Sequence, residues 1–283
     1  MPNFAYIDGR YIPRHLGSIS MEDRAANFGD AIYEVWVVVN GHLVDERRHL
    51  DRLERSLAAL HIPMPMARQA LTSHIYRLLR RNVIKFGTVY LQISRGVARR
   101  DHVPPQNIKP SVMIFTTAKP ALANARQNTP KISVKTGPDL RWGRCDIKST
   151  ALLPNVLLRM EASSEGFQEA WMIDDQGYVT EGTSSSSWIV TREGELCTRQ
   201  LSSEILPGVT RETVKELAKN AGCRFVERAF TIQEAYDAAE AFITSATSFV
   251  TPVTKIDQNS IGNGEVGPVT SQLRDLYLSA SGL

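Results

Sequence analysis

Hydrophobic and polar positions in the first half of the chain follow first a strand period and then a helix period. The clearest signal is the β-branched and aromatic run Tyr33–Val39, which meets the turn Asn40-Gly41 and predicts a β-hairpin. After it, leucines recur at helical spacing until prolines interrupt them. The predicted strands are Phe4–Asp8, Tyr33–Val39, His42–Val44, Thr88–Ser94 and Ser111–Thr117, and the predicted helices are one that begins at Arg48 and Ala67–Val83.

The second half alternates between short strands and short helices. The turn Asp174-Asp175-Gln176-Gly177 predicts a second hairpin, and a helix from Thr210 should end at Gly222. The predicted strands are Lys131–Lys135, Glu169–Ile173, Tyr178–Thr180, Trp188–Val190, Arg224–Arg228 and Ala241–Thr244, and the helices are Ser149–Ser163, Thr210–Ala221, Ile232–Ala238 and Val269–Leu278. Strands and helices mixed in both halves predict an α+β or mixed α/β fold and argue against a doubly wound parallel sheet.

Two polar segments divide this pattern. Arg95–Pro110 is rich in charge and proline and too polar to pack, so we expect it to be a functional loop. Lys119–Thr129 lacks clear periodicity and is the predicted linker, because 283 residues are enough for two lobes. The predicted organisation is a smaller N-terminal α/β domain over residues 1–118, a linker over 119–129 and a larger C-terminal domain over 130–283.

The composition favours small-molecule chemistry. A net charge of +3 with dispersed Lys and Arg argues against nucleic acid and against a polybasic membrane contact. Three widely spaced cysteines fit neither a disulfide framework nor zinc-ligand spacing. The N-terminus lacks the pattern of an export signal, and no apolar run approaches membrane-spanning length. We therefore expect a soluble, cytoplasmic protein.

The segment Arg141–Ser149 places one lysine, Lys148, among polar and small residues. A lysine is usually protonated and solvated, but desolvation or a neighbouring cation lowers its pKa and lets the neutral amine form a Schiff base. Arg141 and Arg144 are candidates for that cation. Since most lysines are surface charges, this segment alone favours an ordinary solvated Lys148.

Other segments offer the remaining groups that pyridoxal phosphate requires. Leu206–Arg211 opens a helix after a loop, which points the N–H groups of Val209 and Thr210 outward as an anion site, or simply makes Thr210 an N-cap. Glu181 offers a carboxylate at a strand end, where a solvated turn residue is the ordinary interpretation. The small residues Ser245–Ser248 permit a close ligand or close packing. A lysine, a carboxylate and an anion-binding helix start together match an imine, a partner for the pyridine nitrogen and a phosphate anchor.

Along nearly its whole length the chain resembles the fold-type IV pyridoxal-phosphate enzymes, and most closely the D-amino acid aminotransferases. The matching segments are Glu22-Asp23-Arg24, Phe28-Gly29-Asp30, Tyr33-Glu34-Val35, His49-Leu50-Asp51-Arg52-Leu53, Arg141-Trp142, Arg144-Cys145-Asp146-Ile147-Lys148-Ser149, Thr180-Glu181-Gly182 and Gly208-Val209-Thr210-Arg211. The resemblance implies the two-domain fold-type IV architecture and pyridoxal 5'-phosphate as cofactor.

The resemblance also implies roles for individual residues. Lys148 would form the Schiff base and move a proton at the substrate α-carbon, Glu181 would face the pyridine nitrogen, and Arg52 would bind the phosphate. For Arg52 the ordinary interpretation is a charge on a solvated helix face. The further cofactor-binding residues implied are Leu206, Val209, Thr210 and Ala246.

Two positions depart from the family pattern. Ser186 stands where the pattern has an asparagine, so the hydrogen bonds around Glu181 must differ. Ala246 replaces a threonine, so only a backbone N–H remains for the phosphate at that position.

For the substrate, the resemblance implies Tyr33, Arg100, His102 and Thr247. An Arg-x-His pair beside a phenol is a plausible trap for an α-carboxylate. In relatives this loop comes from the neighbouring subunit, which implies a homodimer. The alternative is a solvated basic loop, because Arg99 makes the register uncertain.

The reaction implied is pyridoxal-phosphate-dependent transamination of D-amino acids with 2-oxoglutarate, such as D-alanine and 2-oxoglutarate to pyruvate and D-glutamate. A branched-chain L-amino acid aminotransferase would share Lys148 and Glu181 but not the pair Arg100 and His102. An aminodeoxychorismate lyase would use the same lysine for elimination. A pyridoxal-phosphate-binding protein without turnover is the alternative from outside the enzymes.

Overall fold

The computed structural model describes residues 3–283, which form two compact units. The first unit contains the chain up to Ala123 together with Ile147–Ala151, and the second contains Asn124–Asp146 and Leu152–Leu283. Each unit combines one sheet with helices. The prediction of a mixed α/β fold is confirmed.

The first unit is built on a six-stranded antiparallel sheet with the strand order β2-β1-β6-β5-β3-β4. Its two long helices contact this sheet through apolar faces, which bury Leu53 and Leu57 from one helix and Leu71 and Ile75 from the other. The strands are β1 Phe4–Ile7, β2 Arg10–Pro13, β3 Ala31–Val39, β4 His42–Leu43, β5 Gly87–Ser94 and β6 Ser111–Ala118, and the helices are α1 Arg24–Phe28, α2 Glu46–Ala59 and α3 Arg68–Arg81.

The segment Ile147–Ala151 lies in the first unit because both its side chains and its backbone are attached there. Ile147 is buried in the apolar core of that unit. The Tyr33 N–H donates to the Lys148 carbonyl at 3.0 Å, and the Thr150 N–H donates to the Ala31 carbonyl at 3.0 Å. The predicted domain boundaries remain a prediction, but the stretch around Lys148 groups with the N-terminal unit and not with the residues that follow it.

The second unit contains a nine-stranded mixed sheet with the order β12-β11-β10-β13-β14-β7-β8-β9, and β15 pairs with β14. Parallel pairs join β11 to β12 and join β7 to both β14 and β8. The strands are β7 Ile132–Pro138, β8 Glu169–Ile173, β9 Val179–Gly182, β10 Ser186–Val190, β11 Glu195–Thr198, β12 Arg224–Glu227, β13 Glu240–Ser245, β14 Phe249–Ile256 and β15 Asn259–Ser260, and the helices are α4 Leu153–Ser164, α5 Val209–Asn220, α6 Ile232–Asp237 and α7 Pro268–Ala280.

The structure corrects one predicted helix and adds helix α1 and the strands β2, β11, β14 and β15, which were not predicted. The helix predicted from Ser149 begins only at Leu153, because Pro154 lies in the first turn, where its missing N–H removes no helical hydrogen bond. Strand β14 was not predicted, since Pro252 within it argues against a central strand. Pro252 nevertheless pairs with Phe242, and β14 has an irregular register between Val253 and Lys255. Within residues 3–283 no helix combines the length and apolar character that crossing a bilayer requires.

Candidate active site

Lys148 and Tyr33, both predicted site residues, lie together in the first unit. The Lys148 Nζ is 4.1 Å from the centroid of the Tyr33 ring, where the ring face attracts a cation. The Lys148 backbone is fixed on both sides, because its N–H donates to Ser56 Oγ at 3.3 Å and its carbonyl accepts from the Tyr33 N–H. The side chain is half-buried. The amine is therefore held on a short, anchored segment beside a phenol.

Arg52, the predicted phosphate ligand, is buried on helix α2 and not on a solvated face. Its Nε donates to Glu34 Oε1 at 2.7 Å and its Nη2 to Glu34 Oε2 at 2.8 Å. His49, one turn earlier, shares the same carboxylate through Nδ1 at 2.7 Å. Burial alone would raise the pKa of Glu34, but the Arg52 guanidinium and His49 outweigh it and hold that pKa well below its usual range. This two-point pair fixes the plane of the Arg52 guanidinium.

Arg100 and His102, the predicted carboxylate trap, lie on an exposed loop and share one aromatic platform. The Arg100 guanidinium carbon is 5.1 Å from the centroid of the Phe28 ring, and the His102 ring centroid is 5.6 Å from it. Regular strand or helix is absent from Arg95–Pro110 in the described chain, as predicted. The two groups are thus brought together from one short segment.

Glu181, the predicted partner of a ring nitrogen, lies in the second unit at the end of β9 and is buried. Arg141 Nη1 donates to Glu181 Oε1, and the Leu206 N–H approaches both carboxylate oxygens at 3.1 and 3.2 Å. Arg141 also donates to Asp139, at 2.9 Å from Nε and 2.7 Å from Nη2. Burial raises the pKa of Glu181 above its ordinary value although Arg141 and the Leu206 N–H lower it, and the negative charge of Asp139 adds to the increase.

Arg141 and Arg144 therefore have partners other than the one that the sequence indicated. We expected one of them to act as the cation beside Lys148. The guanidinium of Arg141 is instead paired with two carboxylates, and that of exposed Arg144 is paired with Asp146 at 2.9 and 3.0 Å. Arg141 is better described as the residue that orients Glu181.

The start of helix α5 has the form that a phosphate requires. Its N-cap is Gly208, and no side chain of the described residues caps it, so the N–H groups of Val209 and Thr210 remain available. A Cβ at Gly208 would come within 2.8 Å of Ser186 Oγ and 3.1 Å of Arg211 Cβ. Glycine is needed here because Ser186, which stands at the asparagine position of the family pattern, packs directly against the turn.

The loop before β14 carries Ala246, which is half-buried, and Thr247, which is exposed. Its two flanking serines close it, since Ser245 Oγ and Ser248 Oγ are 2.6 Å apart and the Ser248 N–H donates to Ser245 Oγ at 3.2 Å. The next residue, Phe249, is buried with φ at 61°, a conformation that a bulky side chain rarely adopts. Surrounding contacts must hold this loop in place.

Tyr277 on helix α7 contacts both elements that would hold the phosphate. Its hydroxyl is 3.4 Å from Thr210 Oγ1, and its ring centroid is 6.0 Å from that of Phe249. All three side chains are buried. Thr210, one of the expected cofactor-binding residues, thus has a neighbour for its hydroxyl within its own unit.

The hydroxyl-rich run after Glu181 is organised by a second buried carboxylate, Glu169 on β8. Three consecutive hydroxyl groups donate to it: those of Thr183, of Ser184 at 3.0 Å and of Ser185 at 3.0 Å. The Ala170 N–H donates to it as well, at 2.8 Å. The hydroxyl residues that precede Ser186 therefore belong to a network that fixes the chain just beyond Glu181.

The sequence did not single out Glu34, His49 or Asp139 as site residues. The sequence nevertheless carried one signal for Glu34 and one for His49. Glu34 is a charged residue within the apolar run of β3, and its side chain is fully buried. His49 and Arg52 are spaced by three residues, which places them on one helix face. Asp139 carried no comparable signal, since it follows a strand in an ordinary polar turn.

Comparison with known proteins places these features in a family. Residues 31–256 match the family described as amino-transferase class IV. The chain is 38% identical over 267 residues to a D-alanine aminotransferase of Bacillus licheniformis, covering 94% of this chain and 93% of that protein. It is 34% identical over 273 residues to a D-alanine aminotransferase of Listeria innocua, covering 96% and 94%. The protein belongs to the class IV aminotransferases.

The fold agrees with that assignment. The structure superposes on the T.th. branched-chain amino acid aminotransferase complexed with N-(5'-phosphopyridoxyl)-L-glutamate with a TM-score of 0.88 and 26% identity, covering 100% of this chain and 95% of the other. The predicted fold-type IV architecture is confirmed. An amine, a buried carboxylate and an uncapped helix start, as described above, fit the needs of pyridoxal phosphate.

Proposed function

We propose that this chain is a D-amino acid aminotransferase, which uses pyridoxal 5'-phosphate to transfer the amino group of D-alanine and related D-amino acids to 2-oxoglutarate. The products would be pyruvate and D-glutamate. One observation carries the proposal: Arg100 and His102 lie on the same Phe28 ring. They are the two groups by which we distinguish D-amino acid aminotransferases from the branched-chain enzymes. The identity to relatives named D-alanine aminotransferase supports the same assignment.

The proposal assigns a task to each polar group. When bound, pyridoxal phosphate supplies an electron-withdrawing ring that receives the amino group. Lys148 Nζ takes the proton from the substrate α-carbon and returns it, and the Tyr33 ring beside it limits the directions that the amine can take. Glu181, as an ionised carboxylate, would accept the hydrogen bond of the protonated ring nitrogen, and its burial limits competition from water for that contact. Ala246, Thr210, Val209 and Leu206 complete the cofactor contacts, and Thr247 contacts the substrate.

The phosphate is assigned to Arg52 and the start of α5. The ion pair with Glu34 keeps the Arg52 guanidinium in one plane, so that little rotational freedom is lost when it binds an oxyanion. The uncapped N–H groups of α5 add the favourable end of the helix dipole.

We also propose that the active form is a homodimer in which the Arg100 and His102 loop serves the neighbouring subunit. The loop is exposed in the single chain. Helix α4 carries exposed apolar side chains at helical spacing, and apolar patches of this kind mark protein contacts. They are Leu153 at 67%, Val156 at 47%, Leu157 at 57% and Met160 at 63% exposure. A second copy of the chain is the occupant that fits, because its loop would complete the site.

The test is the absorbance spectrum of the purified protein before and after D-alanine, and separately before and after L-leucine. We expect D-alanine to convert the cofactor to its amine form and 2-oxoglutarate to restore it. If L-leucine converts the cofactor and D-alanine does not, the protein is a branched-chain enzyme. A transaminase releases only one equivalent of keto acid per cofactor when no acceptor is present, so repeated release of pyruvate from aminodeoxychorismate without an acceptor would indicate a lyase. An unchanged spectrum with both amines would indicate binding without turnover.

Three variants connect the spectral changes to individual residues, one at Lys148 and two in the loop. Lys148→Ala should abolish transamination while the chain still folds, because this half-buried side chain contributes little to the core. Arg100→Ala and His102→Ala should each lower kcat/KM for D-alanine and for 2-oxoglutarate by roughly ten- to a hundredfold, since both substrates carry the α-carboxylate. If kcat/KM of Arg100→Ala and of His102→Ala stays within about twofold of the wild type, a change of only ~0.4 kcal/mol, the loop is an ordinary solvated segment.

A further inference from the structure

Arg24 is a buried cation that none of the roles above uses. Its side chain is 5% exposed, and its Nε donates to Asp30 Oδ2 at 2.7 Å. A buried guanidinium is tolerated only when its donors are matched by acceptors. Burial by itself would raise the pKa of Asp30, but hydrogen bonds from Arg95 and Arg24 hold it below the ordinary value, so the pair is charged at neutral pH.

The remaining donors of Arg24 go to the backbone of the loop Arg95–Pro110, which carries Arg100 and His102. Nη1 donates to the Asp101 carbonyl at 2.6 Å and Nη2 to the His102 carbonyl at 3.1 Å. Asp101 is the residue between Arg100 and His102, so one guanidinium fixes the backbone at the centre of the pair. The loop has few other means of support, because it contains no regular secondary structure.

The base of the loop is attached to the same short stretch of chain. The Arg24 N–H donates to the Gly96 carbonyl at 3.0 Å, and the Ala98 N–H donates to the Glu22 carbonyl at 3.2 Å. Gly96 has φ at +124°, and a Cβ there would meet the Lys109 carbonyl oxygen at 2.0 Å. The loop is therefore held at its start by backbone bonds and at its functional end by the Arg24 side chain.

Phe28 completes the arrangement. The Arg24 guanidinium carbon is 4.6 Å from the centroid of the Phe28 ring, the same ring that Arg100 and His102 contact. Phe28 ends helix α1, whose N-cap Asp23 also accepts from Ser94 Oγ at 3.0 Å. The ring is thus a fixed surface against which both side chains of the pair are set.

We propose that Arg24, held by Asp30, is a positioning residue that determines how tightly Arg100 and His102 bind the substrate carboxylate. The inference rests on the proposed role of that pair. Arg24 touches no substrate and acts only through the loop backbone and the Phe28 ring. Its loss leaves Arg100 and His102 present but free to sample other directions, so that ordering them consumes part of the binding energy.

Arg95 is a matched control within the same ion-pair cluster. It also donates to Asp30, at 2.7 and 2.9 Å, but its other donors go to the carbonyls of Leu60 and His61 at 2.7 and 3.1 Å. Those carbonyls follow helix α2 and lie outside the segment with the pair. A substitution at Arg95 disturbs the same carboxylate without releasing the backbone of the pair.

The experiment is a double-mutant cycle on the complete enzyme with its cofactor. Arg24→Lys, Arg95→Lys and Arg100→Ala are measured singly, and each lysine variant is combined with Arg100→Ala. We expect Arg24→Lys to raise the KM for D-alanine and for 2-oxoglutarate by about tenfold with kcat within about twofold. In the Arg100→Ala background the same substitution should raise KM by about threefold at most, because only His102 then remains to be positioned. Arg95→Lys should change KM by less than about threefold in either background.

Some outcomes would contradict the positioning role of Arg24, and a different outcome would contradict the carboxylate-binding role of Arg100 and His102. If Arg100→Ala raises KM and Arg24→Lys does not, or if the two effects multiply fully, Arg24 has no positioning role. If Arg100→Ala itself changes nothing, the proposed carboxylate trap is wrong whatever Arg24→Lys does. Partial misfolding lowers the apparent kcat and leaves KM unchanged, so it cannot imitate the expected result.

Phe28→Leu gives an independent measurement if Arg24→Lys yields no folded protein. It removes the shared ring and leaves every hydrogen bond of Arg24 available. We expect the same rise in KM for both substrates and the same non-additivity with Arg100→Ala. A KM equal to that of the wild type in Phe28→Leu would overturn the role of the platform.

Discussion

Two buried glutamates, Glu34 in the first unit and Glu181 in the second, each accept a hydrogen bond from an arginine, yet their pKa values move in opposite directions. Both lose hydration by burial, which raises a carboxylate pKa. The difference lies in the donors. Glu34 receives two bonds from Arg52 and a third contact from His49, whereas Arg141 divides its donors between Glu181 and Asp139.

The two arrangements suit two different tasks. A carboxylate that receives both bonds of an undivided guanidinium and a further contact from a histidine stays ionised and acts as a structural anchor, here for the arginine proposed to bind phosphate. A carboxylate whose arginine is shared with a second negative group is neutralised less completely, so it can still attract a positively charged ring nitrogen. That property is what a partner of a protonated ring nitrogen needs. An arginine beside a glutamate therefore does not by itself tell which of the two roles the glutamate has.

The largest effect expected is on stability, at Glu34. Glu34→Gln removes the carboxylate that accepts two hydrogen bonds from the buried Arg52 guanidinium, which should lower the free energy of unfolding by about 3–5 kcal/mol. Urea unfolding of the cofactor-free protein measures this. Glu181→Gln, in the same assay, should cost far less, because Asp139 still neutralises Arg141. Equal losses in the two variants would remove the distinction.

For the rate of the reaction, the larger effect is expected at Glu181 and not at Glu34. Glu181→Gln should slow the single-turnover conversion by D-alanine by about 10²–10³-fold, since a neutral amide cannot hold the ring nitrogen protonated. The affinity for the cofactor should change much less, because Lys148, Arg52 and the α5 N–H groups are untouched. Stopped-flow absorbance gives the rate, and titration of the cofactor-free protein gives the affinity. An unchanged single-turnover rate would contradict the role assigned to Glu181.

The pH dependence of stability should differ in sign between the two sites. The folded-state pKa of Glu34 is lowered, so its stabilisation is present above the ordinary glutamate pKa and is lost as the pH falls through the folded value. The folded-state pKa of Glu181 is raised, so its relative stability is highest below the ordinary pKa and declines as the pH rises through the folded value. Each unit of pKa shift corresponds to about 1.4 kcal/mol.

The measurement compares each Gln variant with the wild type from acid to neutral pH, without cofactor. The gap to Glu34→Gln should widen with rising pH, and the gap to Glu181→Gln should move in the opposite direction. Slopes of one sign at both sites would show that sharing of Arg141 with Asp139 has no effect.

The smallest effect is expected at Asp139. Asp139→Asn keeps an acceptor for the Thr180 hydroxyl, which donates to Asp139 at 2.7 Å, but it removes the negative charge near Glu181. Arg141 then serves Glu181 alone, and the pKa of Glu181 should fall. We expect kcat at neutral pH to fall by only about threefold, or ~0.7 kcal/mol, with the change visible in the pH profile. An unchanged profile would assign the raised pKa to burial alone.

From their own segments Lys148 and Glu181 had ordinary interpretations, and only the resemblance across many segments implied their roles, which stay predictions. The helix start was predicted at Thr210 and lies at Val209, and most strands appear within two residues of the predicted bounds, while β7 continues to Pro138. Contacts between distant segments were out of reach. The pairing of Arg141 with Asp139 and Glu181 depends on how the β7 and β9 regions meet, and Pro252 lies in β14 because neighbouring strands supply the pairing that a local pattern cannot show.

The attachment of Ile147–Ala151 to β3 affects how the first unit folds while the chain is being synthesised. The core of the first unit is incomplete until the intervening segment Asn124–Asp146 and then Ile147 have been synthesised, so closing it requires a long-range pairing of Ile147–Ala151 with β3. During translation the nascent first unit therefore waits with an open site beside Ala31 and Tyr33. Lys148 reaches its place only when this segment docks against β3.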